Sequence, residues 1–278
     1  MNAVELDNYL KRIGYDGPDD VPPTLQTLRA VQWCHACSIP FENLDVLLHD
    51  GHGGIKIDAQ GVFQKLVVGQ RGGYCFEQNS LLLDALEAIG FEVQGLSGRV
   101  GDDRSVTPPR THLFAKVMLE GVAWLVDVGV GGFTPTCPLR MDTDELQETP
   151  HDVRRIVLDD GTPDGSGIPL WYHQVLIGKR WRDVYRFTGE LMPGIDREVG
   201  NWWTSTHPES KFRQSIMAAI ASPDGSRHTL ATSLYTHRLR GEVIEEEVIG
   251  SSRRLLGILD ERFGIVLPKG TQLGIGGF

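Results

Sequence analysis

Two glycines followed at once by a cysteine and a long apolar helix constrain this chain more than any other stretch. The segment reads Arg71-Gly72-Gly73-Tyr74-Cys75-Phe76-Glu77-Gln78-Asn79. The glycines free the backbone for a tight turn. Leu82, Leu83, Leu86 and Ile89 then recur at helical spacing, so Cys75 is expected at or near the first turn of a buried helix. Unpaired backbone N–H groups and the helix dipole favour an anion there, which suits a thiolate nucleophile. The bland alternative is a buried structural cysteine, which most lone cysteines are.

A chain of 278 residues, 40% apolar and 23% charged, is an ordinary globular composition. Its net charge of −10 gives no electrostatic support for binding nucleic acid or an anionic membrane. The N-terminus lacks a basic region followed by an apolar core, and no apolar run approaches the ~18–20 residues that span a bilayer. Four cysteines in this length are not a disulfide framework. The expectation is a cytoplasmic protein, a monomer or weak homo-oligomer, with no nucleic-acid or membrane partner.

Residues 1–90 read as mostly helical, with helices over 4–13, 25–37, 58–68 and 79–89 and a loop at 49–54. Pro40 breaks the second of these. Near Gly90 the apolar period shortens towards two. Strands are expected over 91–100, 111–119, 122–128, 153–158, 171–177 and 181–187, separated by turn signals at 159–161 and 178–179. Such a run suggests an antiparallel sheet or small barrel. Beyond residue 190 the pattern is mixed, with helices over 201–212 and 253–263 and strands over 229–239 and 242–249. The class is therefore α+β.

A reactive cysteine needs a base, and the base needs an orienting group. Nine histidines are available, and hairpin geometry singles out one. With Glu120-Gly121 as a two-residue turn, Leu119 pairs with Val122, and His112 and Asp127 become diagonal neighbours on one face. The opposite face carries Leu113, Ala115, Val117, Trp124 and Val126, an apolar set fit for a core. Asp127 amid Leu125, Val126 and Val128 would need a partner if buried. His112 would take the Cys75 proton, and Asp127 would fix the tautomer. Such a group attacks an activated acyl carbon and holds the acyl as a thioester.

Five motifs in order carry a family likeness: Ile39-Pro-Phe-Glu-Asn-Leu-Asp45, the segment at 71–79, Thr111-His112, Val126-Asp-Val-Gly129 and Ser205-Thr-His-Pro208. Together they resemble the arylamine N-acetyltransferases, up to about Phe212. The resemblance implies a helical bundle (1–90), a central antiparallel β-barrel (91–190) and an α/β lid (191–278), with a Cys-His-Asp triad as in cysteine-protease-like folds. It implies that Cys75, His112 and Asp127 take acetyl from acetyl-CoA and pass it to a small aromatic amine, hydrazine or N-hydroxyarylamine. Acetyl-CoA is then a co-substrate, with no permanently bound cofactor and no metal. Gly129, Gly131, Gly132, Phe133 and Thr134 resemble the segment that approaches CoA, and Trp203 and His207 the lid on its side of the cleft. Phe41, Val130 and Trp202 match acceptor positions. Many members carry an aromatic residue at Val130, which bears on the shape of the acceptor pocket.

Four other features compete for attention. Trp33-Cys34-His35-Ala36-Cys37 has the look of a thioredoxin-type redox site, or of part of a zinc site, but lies inside a helical pattern with no second ligand pair. Cys137 reads as inert, Glu245-Glu246-Glu247 as a solvated face, and Arg71 with Glu42 as a buried pair. A cysteine hydrolase or transglutaminase-like enzyme would share the Cys-His-Asp order but needs a peptide cleft and no CoA site. A catalytically silent CoA-binding protein would not need the triad.

Overall fold

Capping as much as apolar spacing starts the first helices. The computed structural model describes residues 1–18, 20–48, 54–159, 168–268 and 270–271. Asn2 and Glu5 cap α1 (Ala3–Ile13) reciprocally, at 3.0 and 2.8 Å. Gly14, at φ 69°, ends it. Thr24 caps α2 (Leu25–Ser38), which stops ahead of Pro40 and leads into β1 (Phe41–Glu42) and α3 (Leu44–Leu48). The single helix expected over 58–68 is instead α4 (Ala59–Phe63) running into a π-helical turn, Gln64–Val68. Most of the expected loop at 49–54 and turn at 159–161 lies outside the described residues.

Helix α5 (Cys75–Ile89) is buried on all sides from Cys75 to Leu83, as befits a helix at the centre of a core. Its polar residues are there because each is spent on a bond. Glu77 accepts from Tyr74 N at 3.1 Å and from Lys65 at 2.7 Å. Gln78 donates to the Pro40 carbonyl (2.9 Å) and accepts from His35 (2.7 Å). The buried pair expected between Arg71 and Glu42 is present at 2.7 Å and extends through Asp45 to Lys65.

One antiparallel sheet follows, built from β2 (Glu92–Val100), β3 (His112–Leu119), β4 (Val122–Val126), β5 (Leu139–Arg140), β6 (Gln147–Glu148), β7 (Val153–Asp159), β8 (Leu170–Ile177) and β9 (Arg180–Phe187). Its order is β5-β4-β3-β2-β9-β8-β7-β6. Leu96, Phe114, Leu125, Leu139, Ile156 and Val175 come from six of these strands yet share one apolar cluster, so the sheet curls towards a barrel around it. Its β3–β4 surface carrying Leu113, Ala115, Val117, Trp124 and Val126 packs instead with the helices. Both faces of this hairpin are thus buried, not one, because the sheet is wrapped inside and covered outside.

Helices α6 (Gly194–Thr206) and α7 (Lys211–Gln214) replace the single helix expected over 201–212. Pro208 forces the break by pushing His207 to extended geometry, φ −68° and ψ 132°. The strand expected over 229–239 is two, β11 (Ser226–Ala231) and β12 (Leu234–Leu239), joined at Thr232-Ser233 with Thr232 at φ 55°. A β-branched residue in that region is uncommon, so the turn carries no sequence signal. With β1, β10 (Met217–Ala221) and β13 (Glu242–Val248) these make a second antiparallel sheet, β1-β10-β11-β12-β13. Helix α8 (Ser252–Phe263) packs on one of its faces through Leu255, Ile258 and Leu259. The acidic run on β13 is not simply solvated: Glu247 pairs with Arg254 at 2.7 Å and Glu245 with Arg262 at 3.5 Å.

Candidate active site

Each of three elements delivers one side chain. Cys75 is the first residue of α5, 4% exposed, with Sγ 3.5 Å from the Thr111 carbonyl. His112 begins β3, and Asp127 follows the last residue of β4. The hairpin between them has the expected register: Leu119 pairs with Val122 and Ala115 with Val126. Its turn residues Glu120 (φ 52°) and Gly121 (φ 79°) both adopt left-handed backbone, as a type I′ turn requires.

His112 Nε2 meets Asp127 Oδ2 at 2.8 Å, with His112 2% exposed and Asp127 fully buried. Burial opposes charging of the imidazole, but the Asp127 carboxylate, its hydrogen bond and the neighbouring Cys75 sulfur outweigh it and raise the His112 pKa to about 10. Burial likewise opposes ionisation of Asp127; His112, the Gly129 N–H and Asn79 prevail and lower its pKa. With Nε2 committed to Asp127, Nδ1 is the nitrogen left for Cys75. The three side chains can pass a proton from sulfur to imidazole and hold the resulting charge pair.

Asn79, one helical turn beyond Cys75, ties the parts together. Its Nδ2 donates to Asp127 Oδ1 (2.9 Å) and to the Leu113 carbonyl (2.7 Å), and its Oδ1 accepts from Val128 N (3.0 Å). Asp127 Oδ1 also accepts from Gly129 N at 2.8 Å. Asn79 belongs to the 71–79 motif, yet sequence reasoning assigned it no role, because its partners lie 34 to 49 residues away. Tyr185, fully buried, adds a ring 4.7 Å from that of His112.

Cys75 and His112 open into a cleft of about 550 Å³. Phe41, Gly129, Val130, Gly131, Gly132 and Phe133 line it, as expected of the first acceptor position and of the glycine loop. The glycines are required for close approach to protein. A Cβ on Gly129 would lie 2.8 Å from Cys75 Cα, and one on Gly132 2.9 Å from the Thr229 methyl. Thr134 is not in the lining; it is buried, and its hydroxyl accepts from Val130 N at 3.1 Å.

Trp202 and Trp203, on α6, are positioned differently from expectation. Trp202, expected at the acceptor, is 60% exposed and not in the cleft lining. Trp203, expected beside CoA, lines a separate hollow with Leu191, Met192 and Val199, and stacks on His207 at 5.2 Å. His207 is likewise absent from the cleft lining. The reason is helical phase: α6 turns Gly200, Asn201, Thr204 and Ser205 inward, which leaves the intervening positions outside. In their place the cleft has a cationic lining of Arg182, Lys211, Arg227, Arg238 and Arg240, against Asp152 as its one acid among the described residues.

The redox-like segment lies within α2. Both His35 nitrogens are committed, Nδ1 to the Tyr9 hydroxyl (2.8 Å) and Nε2 to Gln78, and burial pushes its pKa down to about 4. Burial also raises Cys37 to about 12, with Cys34 adding to the shift, the reverse of an activated thiol. Burial raises Cys137 too.

A family model described as N-acetyltransferase matches residues 24–272. The chain is 38% identical over 261 residues to an arylamine N-acetyltransferase of Escherichia coli K12, covering 94% of this chain and 88% of that one. It is 40% identical over 271 residues to an arylamine N-acetyltransferase of Mycolicibacterium smegmatis, covering 95% and 93%. The solved structure of Mycobacterium marinum arylamine N-acetyltransferase in complex with CoA superposes with a TM-score of 0.84 at 36% identity, covering 94% and 92%.

Proposed function

The chain belongs to the arylamine N-acetyltransferase family, and we propose that Cys75 is the residue through which it moves acetyl from acetyl-CoA to an aromatic amine, hydrazine or N-hydroxyarylamine. The observation that carries this reading is the hydrogen-bonded His112–Asp127 pair beside Cys75, at the wall of a cleft large enough for both substrates in turn.

His112 Nδ1 accepts the thiol proton, and Cys75 sulfur attacks the acetyl carbonyl. The C–S bond to CoA breaks, the departing CoA thiolate takes the proton from His112, and acetyl stays on Cys75 as a thioester. A neutral amine then attacks that carbonyl, His112 removes its proton, and Cys75 leaves as thiolate. Aryl amines are weak bases and stay neutral nucleophiles near pH 7, so no second base is required. Asp127 keeps the imidazole oriented and stabilises its positive form throughout.

Phe41 and the 129–133 loop bound the space around the thioester. Lys211 and Arg240, both exposed at the cleft mouth, would meet the phosphates of CoA, an attraction the overall charge of −10 would otherwise weaken. The division at 1–90, 91–190 and 191–278 is part of the same proposal, with Cys75, the His112–Asp127 pair and the cationic mouth drawn from successive parts. All three triad residues come from one chain, so a monomer suffices. No helix is long and apolar enough to cross a membrane among the described residues; a cytoplasmic setting, where thiols stay reduced, suits a cysteine nucleophile.

A covalent intermediate has a kinetic signature. Initial rates measured over a grid of acetyl-CoA and aniline concentrations are expected to give parallel double-reciprocal lines. Lines that intersect would mean both substrates must be bound together, and would contradict the thioester route.

A further inference from the structure

The cleft's inner end carries a surplus positive charge that acetyl transfer to a plain aniline does not use. Arg154 is fully buried, Asp152 8% exposed and Arg227 12% exposed, and the two arginines share that single carboxylate. Arg154 takes both oxygens of Asp152, Nε to Oδ1 at 2.5 Å and Nη2 to Oδ2 at 2.8 Å. The Arg227 side chain has one hydrogen bond, Nη2 to Oδ2 at 2.9 Å, and no other among the described residues. The two histidines of this cluster do not add charge: burial holds His151 down to about 4 and His173 well below the ordinary imidazole range. Two guanidinium groups against one carboxylate leave one positive charge unbalanced.

The sheet adds a second arginine. Arg227 on β11 is paired directly with Arg238 on β12, so the two side chains leave the same face about 5 Å apart. Like charges directly opposed on neighbouring strands are destabilising. On the other side Arg227 pairs with the small, uncharged Ala221, which offers no partner to its charge. Both arginines face the cleft, with Gly225, His151 and Asp152 beside Arg227. A desolvated, under-neutralised guanidinium next to open volume is a receptor for an anion.

The burial gradient says which anion. Lys211, Arg182 and Arg240 are exposed, and a strongly hydrated, multiply charged phosphate chain belongs there. The Arg227 end is enclosed by buried residues, which suits one small, singly charged, planar group. We propose that Arg227, braced by Asp152 and seconded by Arg238, is a carboxylate-binding subsite of the cleft, selecting substrates that carry a carboxylate away from the reacting atoms. The carboxylate belongs either to the acceptor, as in an aminobenzoate, or to the acyl donor, as in malonyl-CoA. The inference rests on the acyl-transfer reading above only for how those substrates react.

Arg227→Gln is a clean test, since Asp152 keeps both Arg154 bonds and the remaining pair is charge-balanced. Benzoate, which has no amine to acetylate, is expected to raise the melting temperature of the wild type and not of the variant; equal shifts, or none in either, overturn the subsite. In kinetics with acetyl-CoA, the variant is expected to lose about tenfold or more in kcat/KM for 4-aminobenzoate while ethyl 4-aminobenzoate stays within about twofold. With the ethyl ester as acceptor, the same comparison of malonyl-CoA against acetyl-CoA reads the donor. Loss in the first arm assigns the carboxylate to the acceptor, and loss in the second to the donor. No selective loss in either overturns the proposal. A wild type that acetylates neither acceptor would instead sink the acetyl-transfer reading, and the benzoate shift would stand apart from it.

Discussion

Cys75→Ser is expected to lower acetyl transfer by about 10⁴-fold or more, with thermal unfolding unchanged. A thiol gives up its proton to a neighbouring base far more readily than an alcohol does, and the thiolate is the stronger nucleophile. Burial and geometry predict an intact fold. Serine is slightly smaller than cysteine, and its hydroxyl can donate to the Thr111 carbonyl that now faces Sγ. Activity of the purified variant with an aromatic amine, measured beside its melting curve, checks both halves. Turnover within tenfold of wild type would remove Cys75 as nucleophile. Lost activity with an unfolded protein would say nothing of chemistry, and the melting curve identifies that case.

Asp127→Asn is expected to cost about 10³–10⁴-fold, for a reason visible in its partners. Asp127 accepts from His112 Nε2, Asn79 Nδ2 and Gly129 N, and an amide can accept with only one of its two ends. If its oxygen stays with Asn79 and Gly129, its NH₂ faces His112 and forces Nε2 to accept. The ring proton then moves to Nδ1, which can no longer take a proton from Cys75. The pH dependence of stability should change in step. In the wild type the His112 pKa is raised to about 10 from 6.5, so the pair stabilises the fold fully below about pH 6.5 and progressively less towards pH 10. The wild-type melting temperature should fall across that window, and the variant's should fall less. Near-normal rates with a wild-type pH profile would make Asp127 structural only.

The arrangement of His112 and Asp127 beside Cys75 was legible because it rests on local geometry. A two-residue turn at 120–121 sets the parity of His112 and Asp127 without reference to the rest of the chain, and the Gly72-Gly73 hinge puts Cys75 at a helix start. The likeness to a known family rested on the same short segments. What stayed hidden depends on long-range packing or on helical phase. Asn79 could be seen in its motif, but not that its amide joins the nucleophile helix to two strands. Trp202 and Trp203 were visible as aromatics on a helix, but nothing local says which face of α6 turns inward. The break at Thr232-Ser233 lacks glycine and asparagine, so two strands read as one. Arg227 and Arg154 lie 73 residues apart in the chain, and their shared claim on Asp152 exists only in the folded protein.

The central claim is that acetyl rests on Cys75 between two half-reactions. Intact-protein mass after brief mixing with acetyl-CoA and no acceptor tests it most directly, with the Cys75→Ser variant alongside. The expected result is a gain of about 42 Da, acetyl in place of hydrogen, on the wild type alone, and its disappearance when an aromatic amine is added. An adduct that forms equally on Cys75→Ser, or a wild type that acetylates the amine without ever carrying the adduct, would contradict it.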